Sequence, residues 1–128
     1  MRFVLSALLV LAASLATAAA MRKPPDIELV HLTAHHNEDH ISLDGRVSNT
    51  GEKAIETLTL AFDFLDSGGI LLTTQKSAIE EDVLEPGKVV MFHFDVDAPP
   101  RAIKFRVNAF DGDGRELRVG GAGPFVIE

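Results

Sequence analysis

One segment near the middle of the chain alternates apolar and polar side chains and then runs into a turn. Leu58, Leu60, Phe62 and Phe64 occupy every second position, and Asp66-Ser67-Gly68-Gly69 follows them. Because successive side chains of a strand point to opposite faces, this pattern places the four apolar residues on one face. The two glycines permit the tight reversal of a hairpin. The segment therefore predicts the central strand of a small β domain.

Similar alternation recurs along the chain at intervals of roughly 8–12 residues, with turn-forming residues between the segments. Strands are expected at 27–34, 40–49, 55–65, 70–74, 89–96, 102–109 and 115–119, with a short edge strand at 125–127. Ser77 and Glu80 match a helix capping box, and there we expect a single helical turn or an irregular loop. The pattern predicts an all-β fold: a single immunoglobulin-like antiparallel β-sandwich of about seven strands, spanning residues 26–128.

The first 20 residues predict a secretory signal peptide. Arg2 precedes an uncharged segment rich in Leu and Ala, and Ala16-Thr17-Ala18 and Ala18-Ala19-Ala20 supply the small residues that signal peptidase requires. An uncleaved membrane anchor and a translation start at Met21 are the alternative interpretations. Cleavage is favoured by the tandem Ala-x-Ala sites. It predicts a periplasmic or secreted protein with no membrane span after cleavage and a flexible lead-in at residues 21–25.

Composition disfavours some classes of binding partner and excludes some kinds of chemical site. The chain has 12 Lys and Arg against 19 Asp and Glu, a net charge of −7 that becomes −8 when Arg2 is removed with the signal peptide. Nucleic acids and anionic membranes both require a basic footprint, so this balance disfavours them as partners. The absence of cysteine excludes disulfides, thiol catalysis and cysteine metal sites.

Several short motifs, taken together in chain order, resemble the pattern of FxLYD-type domains. They are Asn49-Thr50-Gly51, Phe62-Asp63-Phe64-Leu65-Asp66, Gly69, Leu84-Glu85-Pro86-Gly87 and Phe92. Phe62 and Asp66 match the family's Phe-x-Leu-Tyr-Asp run, whereas Phe64 stands in place of its Leu and Leu65 in place of its Tyr. The resemblance covers residues 40–110. It implies an immunoglobulin-like module of a bacterial exported or membrane-attached protein, and it brings no catalytic residues.

Three histidines lie close together in the sequence and form the candidate metal site. His35, His36 and His40 stand with Glu38 and Asp39 within six residues. Imidazole and carboxylate groups bind zinc and copper, and a turn could bring these side chains together. Their spacing matches no defined metal motif, however, and a solvated loop between the first two strands is the favoured interpretation.

For three other polar clusters, a position on the surface or in a turn is favoured over a functional site. Met91 and His93 share a strand face and could bind Cu(I), but the outer surface of a sheet is the expected position. Asp111-Gly112-Asp113-Gly114 echoes a calcium loop, but it also has the composition of a hairpin turn. Glu80-Glu81-Asp82 is typical of a solvated surface. No arrangement of nucleophile and base is recognisable, so the sequence predicts no enzyme.

The sequence therefore predicts a non-enzymatic module that contacts an unknown envelope or extracellular protein. An exposed sheet edge, such as 70–74 or 125–127, is the expected contact surface, through addition of a partner strand. The alternative from another class is a periplasmic metal-binding protein that uses His35, His36 and His40. A third hypothesis is an accessory subunit of a larger envelope enzyme. No feature of the sequence specifies an oligomeric state.

Overall fold

The structure, a computed structural model, describes residues 24–128, and these residues build two facing β-sheets. The predicted signal peptide at residues 1–20 lies outside the described residues. Strands and turns account for the whole described range, so it contains no helix that could cross a membrane. Pro24 and Pro25, from the predicted lead-in, accept hydrogen bonds from Arg118 and Thr50 at 3.0 Å each.

Residues 24–128 form eleven strands, six of them long and five of only two residues. The long strands are β1 (Ile27–Asn37), β2 (His40–Asn49), β4 (Thr59–Leu65), β5 (Leu71–Ala78), β7 (Val89–Asp97) and β8 (Lys104–Phe110). The short strands are β3 (Ile55–Glu56), β6 (Val83–Leu84), β9 (Glu116–Leu117), β10 (Val119–Gly120) and β11 (Phe125–Val126). The predicted all-β class is confirmed. The strand number exceeds seven because loop segments pair briefly with each other or with a sheet edge.

The front sheet has the strand order β10-β1-β2-β7, and the back sheet has the order β11-β8-β4-β5, with β9 also paired to β8. Strands β3 and β6 form a separate two-stranded ladder. Neighbouring strands run antiparallel, apart from the short parallel pairing of β1 with β10. β4 lies between β5 and β8, which confirms the predicted central position of this segment.

The core lies between the two sheets and is built by the alternating residues of the long strands. The side chains of Leu60, Phe62 and Phe64 on β4 are fully buried, as is that of Phe105 on β8. The Phe62 ring meets the Phe94 ring of the front sheet edge-on at 6.0 Å between centroids, so it joins the two layers. Burying an aromatic or large aliphatic side chain contributes roughly 1.5–3 kcal/mol, and these rings supply much of the sandwich's stability.

The segment at residues 77–82, predicted as a single helical turn or an irregular loop, is a strand in its first residues and an irregular loop in its last ones. Ser77 and Ala78 continue the strand and do not begin a helical turn. Ile79 is buried in the core, and its backbone N–H donates to the carbonyl of Leu58 at 2.9 Å. Because this bond extends the β4–β5 ladder, pairing with β4 prevails over the local capping pattern. An irregular loop then follows at residues 80–82 and leads into β6.

Candidate functional site

The three candidate metal-binding histidines lie on the hairpin of β1 and β2. Asn37 pairs directly with His40, so β1 extends to residue 37 and the turn consists of Glu38 and Asp39 alone. The expectation that His35 and His36 occupy a loop is therefore wrong. They belong to the strand because their backbone pairs with Ser42 and Ile41 of β2.

The rings of these histidines have separate partners. His36 Nε2 lies 3.0 Å from the carbonyl oxygen of Ala102, whereas His35 Nδ1 lies 3.5 Å from a carboxylate oxygen of Glu128. His40 Nδ1 is 3.3 Å from Oδ1 of Asp97. Nowhere in residues 24–128 do three His, Cys, Asp or Glu side chains gather in a way that could hold a metal ion. The zinc or copper hypothesis thus gains no support from the geometry.

A histidine on β7 forms the most connected polar cluster of the front sheet. His93 stands opposite Asp44, and its Nδ1 lies 2.7 Å from Oδ1 of that residue. Its Nε2 lies 3.1 Å from Oδ2 of Asp95, and the Ser42 hydroxyl donates to Oδ1 of Asp95 at 2.7 Å. We call these four residues the His93 network. Met91 and His93 lie on the outer sheet surface, as predicted, and the Met91 side chain is 73% exposed.

The electrostatics of the His93 network follow from its hydrogen bonds. The hydrogen bond with Asp44, followed by the one with Asp95, raises the pKa of His93 above its usual 6.5. The Ser42 hydroxyl, followed by His93, lowers the pKa of Asp95 below its usual 3.8. Because Ser42 donates to a carboxylate and not to the imidazole, the network lacks the serine–base contact that nucleophilic catalysis requires. The contacts of His93 with Asp44 and of Ser42 with Asp95 depend on the register between β2 and β7. The alternation of apolar residues in the sequence does not reveal that register.

An open cleft of about 930 Å³ lies at one end of the sandwich, between the loops that follow β2 and β8. Two of its three cations are paired, Arg115 with Asp111 at 3.2 Å and Arg118 with Asp26 at 3.1 Å, whereas the third, Lys53, makes no ion pair within residues 24–128. Asp111 Oδ1 also accepts hydrogen bonds from the backbone of Asp113 and Arg115, as it would in a tight turn. The predicted hairpin turn at 111–114 is confirmed, and the charged groups of the cleft stabilise loops.

One side of the sandwich is closed by the last residues of the sequence. We call it the sealed side. There β10 pairs with β1, β9 and β11 pair with β8, and Glu128 exchanges backbone hydrogen bonds with β1. The backbone N–H of Ile127 donates to the carbonyl of Ile103 at 2.8 Å, and that of Glu128 donates to the carbonyl of Ala34 at 2.9 Å. The expected short edge strand at 125–127 is confirmed, because β11 ends the back sheet beside β8, and only the following residue, Glu128, bonds to the front sheet.

The opposite side, which we call the open side, is formed by β5 and β7. In the part of the chain that the structure describes, β5 pairs only with β4, and β7 pairs only with β2. Ile70–Thr74, the other predicted contact segment, overlaps the beginning of β5. Both sheets therefore present an unpaired strand on the same side of the molecule.

The register shows which backbone groups of β5 point outward. Ile79 and Leu58 form a hydrogen-bonded pair, and such pairs alternate with non-bonded ones along an antiparallel ladder. Ser77, Gln75 and Thr73 therefore bond to β4. The N–H and C=O groups of Thr74, Lys76 and Ala78 face away from the sheet. A strand of another chain could pair with these three residues.

Comparisons with known proteins add support for the fold. No protein-family model and no curated protein matches the chain. Among solved structures, the chain is similar to IrmA from Escherichia coli, with 12% identity over 82% of this chain and 99% of that one, at a TM-score of 0.50. It is also similar to a β-glucuronidase of Bacteroides uniformis, with 18% identity over 73% of this chain and a TM-score of 0.50.

A DNA glycosylase of Pseudomonas fluorescens, AlkC, matches 83% of this chain with 16% identity and a TM-score of 0.46. The chain spans only 13% of the glucuronidase and 31% of the glycosylase. At these identities the likeness to IrmA and to the glucuronidase concerns the fold alone, and the activities of these proteins do not follow from it.

Proposed function

We propose that this chain is an exported, non-enzymatic β-sandwich module that binds another protein of the cell envelope or extracellular space. The partner strand adds to the open edge of β5. An accessory role beside a larger envelope enzyme is one form that such binding takes. The resemblance to FxLYD-type modules supports the extracytoplasmic location.

The observation that carries this proposal is the contrast between the two sides of the sandwich. On the sealed side, the edges of β1 and β8 are covered by residues of the same chain. On the open side, the register of β5 with β4 shifts between Leu71 and Thr73, and the regular stretch from Thr73 to Ala78 contains no proline or glycine. Natural proteins usually protect such an edge with a bulge, a proline or inward charges, because an unpaired row of N–H and C=O groups accepts other strands. Beyond the register shift at its start, the six residues from Thr73 to Ala78 have none of these protections and suit β-augmentation.

The absence of a catalytic role is supported by how the polar groups of the described residues are engaged. The histidines and carboxylates of the front sheet bond with each other on an exposed surface. Paired carboxylates act as acid and base when a buried site separates their pKa values. Here no carboxylate of the front sheet lies in such a site within residues 24–128.

Replacing Ala78 with proline tests the proposal. Proline removes one outward N–H donor, and the ring occupies the position of an incoming strand, while the bonds of Ser77 and Gln75 to β4 remain. We expect Ala78→Pro to weaken binding of the captured envelope partner about five- to tenfold. Capture on the immobilised protein identifies the partner, and calorimetry on the purified pair gives the dissociation constant.

Ala78→Ser is the matched control, because it changes the exposed side chain and keeps the backbone donor. It should bind like the original protein. Equal affinity of the proline and serine variants would contradict strand addition at β5, provided that thermal unfolding shows both variants folded.

A further inference from the structure

The outer face of the back sheet carries a cluster of cations. By register, Lys76 and Asn108 flank Ala61, while Thr74 and Arg106 flank Asp63 in the next row. Lys104 stands opposite Leu65 in the row after that. We call the surface formed by Lys76, Lys104 and Arg106 the basic face. It spans β5, β4 and β8.

These three cations have no acidic partner within the described residues. Ion pairs there join other side chains, and none includes Lys76, Lys104 or Arg106. Lys76 Nζ lies 5.4 Å from the centre of the Phe110 ring, a cation–π contact. The ammonium and guanidinium groups therefore keep their charge available to a ligand.

The carboxylate among these rows is engaged by neutral donors, while a second carboxylate on the outer face of the back sheet, Glu116, lies on β9 opposite Phe110. Asp63 Oδ1 accepts a hydrogen bond from the Thr74 hydroxyl at 2.7 Å, and its Oδ2 accepts one from Asn108 Nδ2 at 2.9 Å. Arg106 stands directly across the ladder from Asp63 but makes no ion pair with it. The face thus carries three positive charges around one negative charge that neutral donors hold in place.

The side chains that lie beneath the charged groups of the basic face are apolar and buried, and we call them its floor. Ala61 and Leu65 point to the outside of the sheet but are only 2% and 5% exposed. Their row neighbours include Lys76 and Lys104, whose long side chains can lie along the sheet with only the charged ends in water. An extended segment resting on this surface would therefore meet cationic ends around an apolar floor.

The positive charge of this face contrasts with the rest of the protein. The whole chain carries a net charge of −7. The outer face of the front sheet has the opposite sign, with Glu28, Asp44, Asp95 and Asp97 against Arg46. Clustering like charges on one surface is unfavourable unless a partner of opposite sign binds there, and complementary potentials guide such association.

From this complementarity we propose that the basic face binds a carboxylate-rich segment of the partner protein. The inference names the chemistry of the partner and rests on the proposed function, since the partner is a protein. The surface differs from the β5 edge, because Lys104 and Arg106 lie on β8, two strands away. A partner whose strand pairs with β5 can extend over the sheet to reach them.

The test uses a deca-glutamate peptide as the probe and isotope-labelled protein in low-salt buffer. We expect the peptide to shift the amide resonances of residues 61–65 and 104–108. The double variant Lys104→Glu, Arg106→Glu should weaken binding about tenfold or more, since it reverses two of the three charges. Added salt should weaken it as well, because exposed charges are screened.

Arg46→Glu is the matched control, because Arg46 is a cation on the outer face of the other sheet. It should leave the affinity for the peptide within about twofold, as expected for a distant charge at moderate salt. Equal loss in this variant, or shifts that map away from the basic face, would overturn the proposal.

Three other results would also overturn it. The first is an absence of shifts at low salt, and the second is binding to phosphatidylglycerol vesicles without binding to the peptide. The third is a set of concentration-dependent shifts of the same amides without peptide, which would identify a second copy as the occupant.

The proposed function is tested separately. If Ala78→Pro weakens partner binding as expected while the peptide does not bind, the strand-addition proposal stands and the basic face is excluded.

Discussion

Asn49 is a buried polar residue whose side chain joins its own loop, residues 49–53, to Leu84. It is 1% exposed, and its Nδ2 donates to the carbonyls of Lys53 and Leu84, both at 2.8 Å. Its Oδ1 accepts from the N–H of Gly51, and its own carbonyl accepts from the N–H of Gly87. The motifs at 49–51 and 84–87, separate in the sequence, therefore meet at this one side chain.

Replacing Asn49 with alanine should destabilise the fold by about 2–4 kcal/mol, because the buried carbonyl of Leu84 and the half-buried carbonyl of Lys53 lose their donor and a small cavity forms. Urea unfolding measures the free energy of unfolding. Ser48→Ala, the neighbouring residue on the outer face, is the control and should change it by less than about 0.5 kcal/mol. A loss at Asn49 as small as that at Ser48 would show that the hydrogen bonds are replaced by water.

The ladder of β2 and β7 is the element whose stability depends on pH. The folded pKa of His93 is raised, so its contribution is complete below the unfolded value of 6.5 and is lost as pH rises through the folded pKa. The folded pKa of Asp95 is lowered, so its contribution is present above 3.8 and is lost as pH falls through the folded pKa. Both contributions are present together between these two values.

His93→Gln should therefore lower the unfolding temperature more at about pH 5.5 than at about pH 8.5, because the contribution of the protonated imidazole is lost as pH rises through the folded pKa. Thermal unfolding followed by circular dichroism provides the measurement. Met91→Gln, on the same strand and face, removes no titratable group and should show no such difference. A His93 effect that is equal at both pH values would mean that its contacts with Asp44 and Asp95 carry no net charge interaction.

At the scale of the whole molecule, the last residues of the sequence hold the two sheets together. Phe125 stacks on Phe105 with 5.1 Å between ring centroids, and the Ile127 side chain is buried. The next residue, Glu128, reaches β1 through backbone bonds to Ala34 and His36. A chain segment that bonds to both sheets closes the sandwich on this side.

Removal of residues 125–128 should lower the free energy of unfolding by about 3–5 kcal/mol, since it exposes Phe105 and the edges of β1 and β8. Chemical denaturation measures the loss, and light scattering should reveal aggregation through the new edges. Glu128→Ala keeps every backbone bond and should cost less than about 1 kcal/mol. A truncated protein as stable as the full chain would show that the sealed side contributes nothing to stability.

Features set by residues close together in the sequence could be predicted from it, whereas contacts between distant residues could not. The alternation at 58–64 is local, and it correctly indicated the central strand β4 and the sandwich. The contact of His93 with Asp44 joins residues 49 apart in the sequence, and it depends on register. The covering of β1 by Glu128 depends on how the chain returns across the fold. Periodicity identifies faces, but it does not pair distant strands.

The polar character of β5 has a consequence for motion in the free protein. Leu72 packs against the core at the start of the strand, but the inward residues Thr73, Gln75 and Ser77 stand opposite Phe64, Phe62 and Leu60, so most of the strand contributes little apolar burial. Strands that bury little apolar surface detach with the smallest free energy, often well below that of global unfolding. Native-state hydrogen exchange should therefore find the inward-bonded amides of β5 exchanging faster than those of β4. A strand that opens this readily can adjust its twist and register to the partner that completes the sheet.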